Sequence, residues 1–420
     1  MSEPKKLIEV AMPIKEISAE SVRDKSIRHG HISTLHLWWA RRPLPVCRGV
    51  IFASLVPDPL DENCPNQFKE ALEILLGKEN NIGDPYNPYK DIPWTSVFDP
   101  MEDNLRNRLQ MFIGKFSNEM QQHLLNEKKK PDANNLLNDA SLIKWENKNN
   151  EEVIIKAKKL IYVAFNSKDN SKVTVSELLS DFDNLHNDIK KAEEELYKIQ
   201  NRHILNEEVT LKQNQLQDSI ENFLNKMPIV FDPFAGGGAI PLEASRLGCR
   251  SFGNDINPVA HIIQRGSLEI PQKFGKPIVF SKNEFISLYG IGEWNKLGND
   301  RLIYSNGDPI GVNINNRLSF DIEYYAMRLL HLTENEIGSY YPSNEHGKKP
   351  IAYYWAKVGT CSNPSCKAEV PLLKQFYLAN SPTKKVFLKP IINGNKISFE
   401  IGKGLCSSEG WMNRGNLICP

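Results

Sequence analysis

The chain has 420 residues, of which 40% are hydrophobic and 25% are charged, a balance typical of globular proteins. Its formal net charge of +1 excludes a polycation, so any contact with nucleic acid must use a local basic patch. Seven cysteines in a chain of this length do not indicate a secreted disulfide scaffold. The N-terminus lacks a signal-peptide core, and no apolar run approaches the roughly 18 residues of a membrane span. We therefore expect a cytoplasmic protein of two or three domains with no membrane partner.

A basic and aromatic segment, residues 26–48, marks the first predicted domain, residues 1–75. Six Lys or Arg and one acidic residue lie between Arg23 and Arg48, interleaved with three histidines and two tryptophans. Phosphate groups attract cations and flat rings attract aromatic side chains, so this composition indicates a contact with nucleic acid or a nucleotide. Two alternatives remain open, a histidine metal site and plain core packing of the tryptophans, and they concern His29, His31, His36, Trp38 and Trp39.

The second predicted domain, residues 76–227, is a loop followed by a helical insertion without chemical motifs. Residues 80–100 are rich in Pro, Asn and Asp, which favours a loop. Thr174-Val-Ser-Glu177 has the pattern of a helix capping box. Apolar residues then follow a coiled-coil-like spacing: Leu178, Phe182, Leu185, Ile189, Ala192, Leu196 and Ile199. A second amphipathic stretch predicts an antiparallel hairpin with its break near 203–208, which either packs on the protein itself, clamps DNA or dimerises.

A glycine loop between two short strands is the most informative motif of the chain. The segments are Ile229-Val-Phe-Asp-Pro-Phe-Ala-Gly-Gly-Gly-Ala-Ile-Pro241 and Gly253-Asn-Asp-Ile-Asn-Pro258. They predict a strand ending at Asp232, a loop, a helix over Ile240–Leu247 and a second strand ending at Asp255. An acidic residue at this spacing can reach the ribose of a nucleoside held over the loop, whose glycines allow close approach to the backbone. Pro241 stands where a dinucleotide fingerprint needs glycine, so an NAD site fits poorly.

Asp232-Pro-Phe-Ala-Gly-Gly-Gly238 resembles the first cofactor motif of S-adenosylmethionine-dependent DNA amino-methyltransferases. The resemblance implies that the glycines cradle the methionine and ribose parts and that Asp255 grips the ribose hydroxyls. It also implies that Asn257-Pro258 lines the adenine side. The cofactor-binding residues predicted here are Asp232, Pro233, Phe234, Gly236, Gly238, Asp255, Asn257 and Pro258. The structural alternative is an ordinary glycine-rich turn.

The N-terminal segment is similar to the opening signature of a family of large bacterial and archaeal DNA methylases. These proteins carry an N-terminal domain of unknown function and often occur among anti-phage defence genes. The resemblance covers the region up to about residue 60, then 228–270 and roughly 318–420. In related methylases a basic segment folds back to complete the cofactor pocket, which implies this role for Ala40-Arg41-Arg42-Pro43. We expect Arg41 and Arg42 to contact the cofactor or DNA phosphate, and the alternative is a surface salt-bridge pair.

The last predicted domain, residues 346–420, resembles part of a zinc ribbon. Paired cysteines in a reducing compartment indicate tetrahedral zinc, and the candidate ligands are Cys361, Cys366, Cys406 and Cys419. The family resemblance implies a hairpin over Val386–Ile401 that turns at Asn393-Gly394. It also implies that Cys419 begins a second cysteine pair whose other member would follow Pro420. The alternative is a set of free buried thiols.

Amino-methyltransferases also need an Asp/Asn/Ser-Pro-Pro-aromatic turn, which holds the target amine and stacks on the flipped base. The nearest sequences, Asp84-Pro-Tyr86 and Asn87-Pro-Tyr89, each lack one proline, so no catalytic residue is predicted. We therefore expect the N-terminal portion of a longer or split DNA amino-methyltransferase, acting on adenine N6 or cytosine N4. It would bind the cofactor without methylating DNA alone. The implied partners are DNA and a C-terminal catalytic half or other defence proteins.

The predicted fold class is α/β. A Rossmann-like S-adenosylmethionine methyltransferase sheet, incomplete in its later strands, occupies residues 228–345. It is combined with an N-terminal signature domain, a coiled-coil-like helical insertion and a partial C-terminal zinc ribbon. The alternative function is a non-catalytic DNA-binding or defence-complex subunit with a vestigial cofactor pocket. RNA methylation would use the same glycine loop.

Overall fold

The computed structural model describes residues 3–76, 104–115, 137, 140–167, 172–200, 207–341, 355–407, 409–413 and 416–419. It contains both helices and strands and divides into two compact units, Met1–Ala326 and Met327–Pro420. The two candidate catalytic turns within residues 84–89 lie outside the described residues, as does most of the predicted hairpin break. No helix in the described part of the chain combines the length and apolar character needed to cross a membrane.

Helices predominate among the described residues of the first unit. In chain order they are α1 (Leu7–Val10), α2 (Ile14–Ser26), α3 (Leu44–Leu55), α4 (Asn66–Leu76), α5 (Leu105–Ile113), α6 (Glu151–Asn166), α7 (Val175–Gln200), α8 (Glu207–Leu224), α9 (Ala239–Arg246), α10 (Pro258–Gln264), α11 (Ile270–Phe274), α12 (Lys282–Tyr289), α13 (Ile291–Trp294) and α14 (Arg317–Ile337). The α14 helix continues into the second unit. A π-helical turn, Arg265–Glu269, joins α10 to α11, and short 3-10 helices span Ile32–Thr34, Trp145–Asn149 and Gly338–Tyr340.

The strands form small sheets of two or three members. They are β1 (Ile229–Asp232), β2 (Arg250–Gly253), β3 (Ile278–Ser281), β4 (Leu302–Ser305), β5 (Asp308–Ile314), β6 (Val358–Thr360), β7 (Glu369–Pro371), β8 (Tyr377–Asn380), β9 (Lys385–Asn393), β10 (Lys396–Lys403), β11 (Met412–Asn413) and β12 (Asn416–Leu417). Only β1 and β2 pair in parallel among the described residues; every other pairing there is antiparallel.

One hydrophobic core joins the N-terminal helices, the helical insertion and the start of the glycine-loop region. Phe52 of α3 packs edge-on against Phe112 of α5, with ring centroids 5.8 Å apart. Phe182 of α7 contacts Phe223 of α8 in the same way, and Leu247 enters this core just after α9. The predicted boundaries at 75/76 and 227/228 therefore do not separate hydrophobic cores. As domain limits they stay predictions.

The predicted capping box and antiparallel hairpin are both present. The backbone N–H of Thr174 donates to Glu177 Oε2 at 2.8 Å, and the N–H of Glu177 donates to Thr174 Oγ1 at 3.3 Å. Because Lys226 pairs with Asp181 and Lys212 with Glu195, α7 and α8 run in opposite directions. The end of the hairpin nearest Thr174 packs into the main core of the unit.

The β1–α9–β2 unit places the glycine loop. The register runs from Ile229 opposite Arg250 to Asp232 opposite Gly253, so the two strands end side by side. Helix α9 starts at Ala239, directly after Gly238 and one residue before the predicted start at Ile240. It packs on one face of the strand pair, while the other face carries the exposed side chains of Ile229, Phe231 and Phe252.

The doubly wound sheet predicted over 228–345 is limited, in the described residues, to this one parallel pair. Strands β3, β5 and β4 form a separate antiparallel sheet in that order. Together with α12 and α13 they enclose an aromatic core of their own that includes Phe280, Phe285 and Trp294. The fold is therefore a mixture of helices and small sheets, in keeping with the α/β class.

The second unit contains three small antiparallel sheets: β6–β7, β8–β9–β10 and β11–β12. Its core forms around Val370, Phe376 and Trp411. The predicted hairpin is present as β9 and β10. Asn393 pairs with Lys396, so the turn consists of Gly394 and Asn395, one residue later than predicted. Gly394 has φ +63°, which a side-chain-bearing residue at this place rarely adopts.

Candidate functional site

The loop between β1 and α9 is fixed by Asp232, the last residue of β1, and by Asp255, which lies two residues beyond the end of β2 and not at its end as predicted. Asp232 Oδ1 accepts a hydrogen bond from the N–H of Phe234 at 3.0 Å. Asp255 Oδ2 accepts from the N–H of Gly236 at 2.9 Å, and its Oδ1 accepts from the N–H of Asn257 at 2.9 Å. The carboxylate of Asp255 thus joins the glycine loop to the turn that follows β2, and both turns lie beyond the carboxyl ends of parallel strands, where open α/β sheets bind ligands.

Two helix N-termini and the side chain of Gln264 fix the rest of the loop and the turn after β2. Gly238 has φ +82° and caps the N-terminus of α9. The side chain of Asn257 accepts from the N–H of Val259 and caps α10, whose first residue is Pro258. Buried Gln264 of α10 donates through Nε2 to the carbonyl of Gly236 at 3.0 Å. These bonds leave the loop little freedom, because its backbone groups are satisfied by side chains that are themselves packed.

Trp38, from the N-terminal segment, lies directly against the loop. A Cβ atom on Gly236 would be 2.6 Å from Trp38 Nε1, and one on Gly237 would be 3.3 Å from Trp38 Cβ. Trp38 also packs with Ala260 and Ile263 of α10. The glycines were expected to admit a ligand to the backbone; at Gly236 the space of the missing side chain is filled by an indole ring.

A cavity of about 510 Å³ opens where the N-terminal segment meets the two turns. Its walls come from three places in the sequence: Ile32, Ser33, His36 and Trp38–Arg42; Asp232, Phe234–Gly237, Ala239 and Ile240; and Asp255–Asn257 with Ile263. This volume lies in the range of small-molecule and cofactor sites, about 300–1,000 Å³. The cavity combines apolar walls with two carboxylates and two guanidinium groups. This lining suits a ligand that has both a flat apolar part and charged or polar groups.

Of the predicted cofactor-binding residues, seven line this cavity: Arg41, Arg42, Asp232, Phe234, Gly236, Asp255 and Asn257. Pro233, Gly238 and Pro258 are absent from its walls; Gly238 and Pro258 instead shape the starts of α9 and α10. Arg41 and Arg42 are separated from the glycine loop by about 190 residues of sequence. The structure therefore brings the two predicted halves of the site together, while their role in binding a cofactor stays a prediction.

A buried polar network holds Arg41 at the cavity. The N–H of Ser33 donates to His31 Nδ1 at 3.0 Å, so the ring proton is assigned to Nε2, which lies 3.0 Å from Asp24 Oδ1. Arg41 donates to Ser33 Oγ at 2.6 Å, and its other terminal nitrogen lies 3.8 Å from Asp24 Oδ2. His31 stacks on Trp145, with ring centroids 4.9 Å apart. The fully buried carboxylate of Asp24 and the hydroxyl of Ser33 thus orient one guanidinium group.

A second buried network joins the N-terminal region to the helix that follows the glycine loop. Arg48 Nε donates to Glu243 Oε2 at 2.6 Å, and both side chains are fully buried. Arg48 Nη1 also donates to the carbonyls of Leu142 and Lys144. Arg246 is a further partner of Glu243, and burial lowers the pKa of its guanidinium. Arg48 was predicted as part of a basic patch for phosphate; its burial makes it a structural residue instead.

Residues 11–76 match a protein-family model described as protein of unknown function (DUF1156). The matched region includes helices α2 to α4 and the segment that lines the cavity between Ile32 and Arg42. No curated protein and no solved structure matches the chain. The description of the matched family states no activity.

Three cysteines of the second unit form a separate candidate metal centre. The sulfur atoms of Cys361, Cys366 and Cys419 all lie within 4.8 Å of one another, with 3.9 Å between those of Cys366 and Cys419. A tetrahedral thiolate site with Zn–S bonds of about 2.3 Å has sulfur atoms about 3.8 Å apart. The three thiols are therefore close enough to hold one metal ion.

The turn that carries the first two cysteines is built by Asn363. Its side chain accepts from the N–H of Ser365, and its carbonyl accepts from the N–H groups of Cys366 and Lys367. The backbone N–H of Asn363 is hydrogen-bonded to the sulfur of Cys361 and lowers the pKa of that thiol, whereas the Cys361 sulfur raises the pKa of Cys419 to about 11.

Cys406, the fourth predicted ligand, is not a member of this group. Its backbone N–H donates to the hydroxyl of Tyr377 at 2.8 Å, and its side chain packs against the small core of the second unit. The three histidines of the N-terminal segment form no metal group among the residues that the structure describes: His31 is buried against Asp24, while His29 and His36 are exposed.

Proposed function

We propose that the chain binds S-adenosylmethionine in the cavity and forms the cofactor-binding part of a DNA amino-methyltransferase. The observation that carries this proposal is the convergence of Asp255, the glycine loop and the Arg41-Arg42 segment on one cavity. Any one of these motifs alone would be a weak signal. Their meeting from positions about 190 residues apart in sequence is what favours a built binding site over an ordinary βα turn.

The donor and acceptor groups of the cavity suit this cofactor. Each oxygen of Asp255 already accepts one backbone hydrogen bond, and a carboxylate oxygen has a second lone pair with which to accept from a ribose hydroxyl. Arg41 or Arg42 would neutralise the carboxylate of the methionine part. The apolar walls formed by Phe234 and Ile256 would bury the adenine. When bound, the cofactor supplies an electrophilic methyl group; the residues named here bind and orient it.

Among the residues that the structure describes, one face of the β1–β2 pair is uncovered, and this open face supports a further partner. Parallel sheets are nearly always covered on both faces, yet Ile229, Phe231 and Phe252 are each at least half exposed on one side of this pair. We propose that a catalytic half, carrying the Asp/Asn-Pro-Pro-aromatic turn that this sequence lacks, covers that face. The chain alone would then bind the cofactor without transferring its methyl group.

For the second unit we propose zinc as the metal held by Cys361, Cys366 and Cys419. Three thiolates are the ligands of structural zinc, and the remaining position of the tetrahedron would be filled by a ligand outside the three. Neither the geometry nor the matched family segment indicates chemistry at this centre. A structural role is therefore proposed for it, with DNA as the macromolecular partner of the whole protein.

The competing proposal is a non-catalytic DNA-binding or defence-complex subunit whose cavity is vestigial. One observation favours it over an enzyme: the sequence contains no recognisable catalytic turn. The two proposals differ in whether the cavity is needed. If the chain is part of a methyltransferase, Asp255→Ala abolishes cofactor binding and with it the activity. If the chain is a non-catalytic subunit, the same substitution leaves its function unchanged.

A methyl-transfer assay tests the proposed function. The chain is expressed with and without the product of any adjoining reading frame that encodes the catalytic turn, and tritiated methyl incorporation into unmethylated plasmid DNA and into RNA is measured. We expect incorporation into DNA only from the pair, and none when the pair carries Asp255→Ala. Incorporation that is unaffected by Asp255→Ala would refute the role of the cavity, and incorporation into RNA alone would move the substrate to RNA.

A further inference from the structure

Trp39 is an exposed aromatic side chain in a place where exposure needs an explanation. It is 77% exposed, whereas its neighbour Trp38 is 8% exposed. The two indoles are stacked, with centroids 4.0 Å apart and planes at 24°. Trp39 lines the same cavity as Asp255 and the glycine loop. Within the described residues Trp38 is its one ring partner, so the rest of the large apolar ring of Trp39 faces solvent.

The cavity supplies more apolar surface of the same kind. Phe234 from the glycine loop is 83% exposed, and Ile256 from the turn after β2 is 98% exposed. Both line the cavity with Trp39. Large apolar side chains gathered at one concave site typically mark a place where a ligand or partner removes them from water.

Trp38 holds the Trp39 ring in position. It is wedged between Gly236, Gly237 and the residues Ala260 and Ile263 of α10. A ring stacked on such a fixed neighbour loses little freedom when a ligand binds, which is the condition for an efficient stacking platform. The arrangement is therefore a preorganised flat surface and differs from a mobile side chain at a pocket mouth.

We propose that Trp39 is the stacking surface for a planar purine-like ring in this cavity. The inference rests on the proposed function and deepens it, because it names the part of the ligand that this wall recognises. Two sources of such a ring are chemically equivalent here: the adenine of the cofactor and a target base taken out of the DNA stack. The sequence has no Asp-Pro-Pro-aromatic turn, whose ring would otherwise stack on a target base.

The test compares Trp39→Ala and Trp39→Phe with the wild-type chain in calorimetric titrations. The three probes are S-adenosylhomocysteine, adenosine and a short single-stranded oligo-dA. The matched control is Trp355→Ala, which removes another exposed tryptophan, 88% exposed and outside the cavity. Circular dichroism verifies that each variant folds. We expect the Trp39 variants to fold because the side chain is largely exposed.

We expect Trp39→Ala to weaken binding of a ring-bearing probe about fivefold to 100-fold, because the ring of the probe loses its stacking partner. Trp39→Phe should retain most of the affinity, and Trp355→Ala all of it. A loss confined to S-adenosylhomocysteine and adenosine identifies the cofactor ring. A loss confined to oligo-dA identifies the target base.

The remaining outcomes separate this inference from the proposed function. If Trp39→Ala binds all three probes as the wild type does, the stacking role is overturned while cofactor binding stands. If the wild type fails to bind S-adenosylhomocysteine but binds oligo-dA through Trp39, the cofactor proposal fails and the stacking role stands. If the wild type binds none of the probes, both are overturned.

Discussion

Trp38 and Gly236, which lie almost 200 residues apart in the sequence, fit against each other so closely that any side chain on the glycine would meet the indole. The ideal Cβ position of Gly236 is 2.6 Å from Trp38 Nε1, and Gly236 has φ +50°. A single contact thus links the N-terminal segment, the glycine loop and the cavity between them. The absence of a side chain at Gly236 is therefore needed for the packing of Trp38, whether or not a ligand is bound.

Gly236→Ala should therefore damage the cavity. The positive φ and the clash with Trp38 together should lower the free energy of unfolding by about 1–3 kcal/mol. They should also weaken S-adenosylhomocysteine binding at least tenfold, because the loop or the indole must move. Urea unfolding and calorimetry measure the two effects.

Gly292→Ala is the matched control for this substitution, since nothing lies within 4 Å of its added Cβ and its φ is not positive. Combining Gly236→Ala with Trp38→Phe removes the Nε1 atom that clashes and should restore part of the stability. An equal loss from Gly236→Ala and Gly292→Ala would contradict the packing role.

The buried Arg48–Glu243 pair predicts a large stability effect. Arg48→Met removes one of the two arginine partners of the buried Glu243 carboxylate, and it removes the hydrogen bonds that Arg48 donates to the carbonyls of Leu142 and Lys144. Breaking one side of a buried ion pair typically costs about 3–5 kcal/mol. We expect a loss of this size in chemical unfolding. Arg246 remains beside Glu243 and should offset a part of it.

Arg265→Ala provides the comparison, because Arg265 forms a half-exposed pair with Glu269 on one helix face. Exposed pairs contribute at most about 1 kcal/mol. A double substitution, Arg48→Met with Glu243→Leu, should recover much of the stability lost in Arg48→Met alone. Equal effects of Arg48→Met and Arg265→Ala would show that the buried pair does not join the two regions.

Zinc binding should depend on three of the seven cysteines. Serine at Cys361, Cys366 or Cys419 should each lower the zinc content of the purified protein strongly, whereas Cys406→Ser should not. Elemental analysis and a chelator-competition titration measure the stoichiometry and affinity. Cys47→Ser is a further control, because burial raises the pKa of its thiol to about 12 and makes it a poor metal ligand. Full zinc content in Cys361→Ser would refute the proposed centre.

The Arg23–Glu146 pair gives a pH-dependent term in stability. Hydrogen bonds from Arg23 hold the pKa of the Glu146 carboxyl below its usual value of 4.5. The folded state therefore favours the ionised form, so the stabilisation is present above pH 4.5 and is lost as the pH falls through the lowered pKa. Half of the Glu146 side chain is exposed, so solvent screening limits the term to below about 1 kcal/mol.

Glu146→Gln should accordingly be less stable than the wild type at pH 7, and the difference should shrink as the pH falls below 4.5. Urea unfolding at several pH values measures the difference. Molar salt should shrink it at neutral pH, because the pair is partly exposed. A difference that grows on acidification would mean that Glu146 is not stabilised as a carboxylate.

Local patterns in the sequence predict local structure well in this chain. The capping box at Thr174, the antiparallel hairpin, the strand–loop–helix around Asp232 and the β9–β10 hairpin all follow from spacing within about 20 residues. Such signals are sufficient because hydrogen bonds and side-chain periodicity within one element depend on neighbours in sequence. Of the four predicted metal ligands, Cys361, Cys366 and Cys419 lie together and Cys406 does not; the family resemblance, and no local pattern, implied the place of Cys419.

The parts that the sequence could not predict are long-range packing relations. No local signal distinguishes Arg48, which is buried with Glu243, from Arg42, which is exposed at the cavity. The orientation of Arg41 depends on its pairing with Asp24, and no spacing in the sequence predicts this pairing. The indole of Trp38 against Gly236 is equally invisible, because glycine-loop motifs describe a ligand's approach to the backbone and do not reveal which side chain of the protein takes that space.

Binding of S-adenosylhomocysteine to the purified chain tests the central claim most directly. Calorimetry compares the wild type with Asp255→Ala, which removes a cavity carboxylate, and with Asp308→Ala, which removes one from β5, outside the cavity walls. We predict one site per chain, loss of binding by at least tenfold in Asp255→Ala, and unchanged binding in Asp308→Ala. Absence of binding by the folded wild-type chain, or equal binding by all three proteins, would contradict the account of the cavity as a cofactor site.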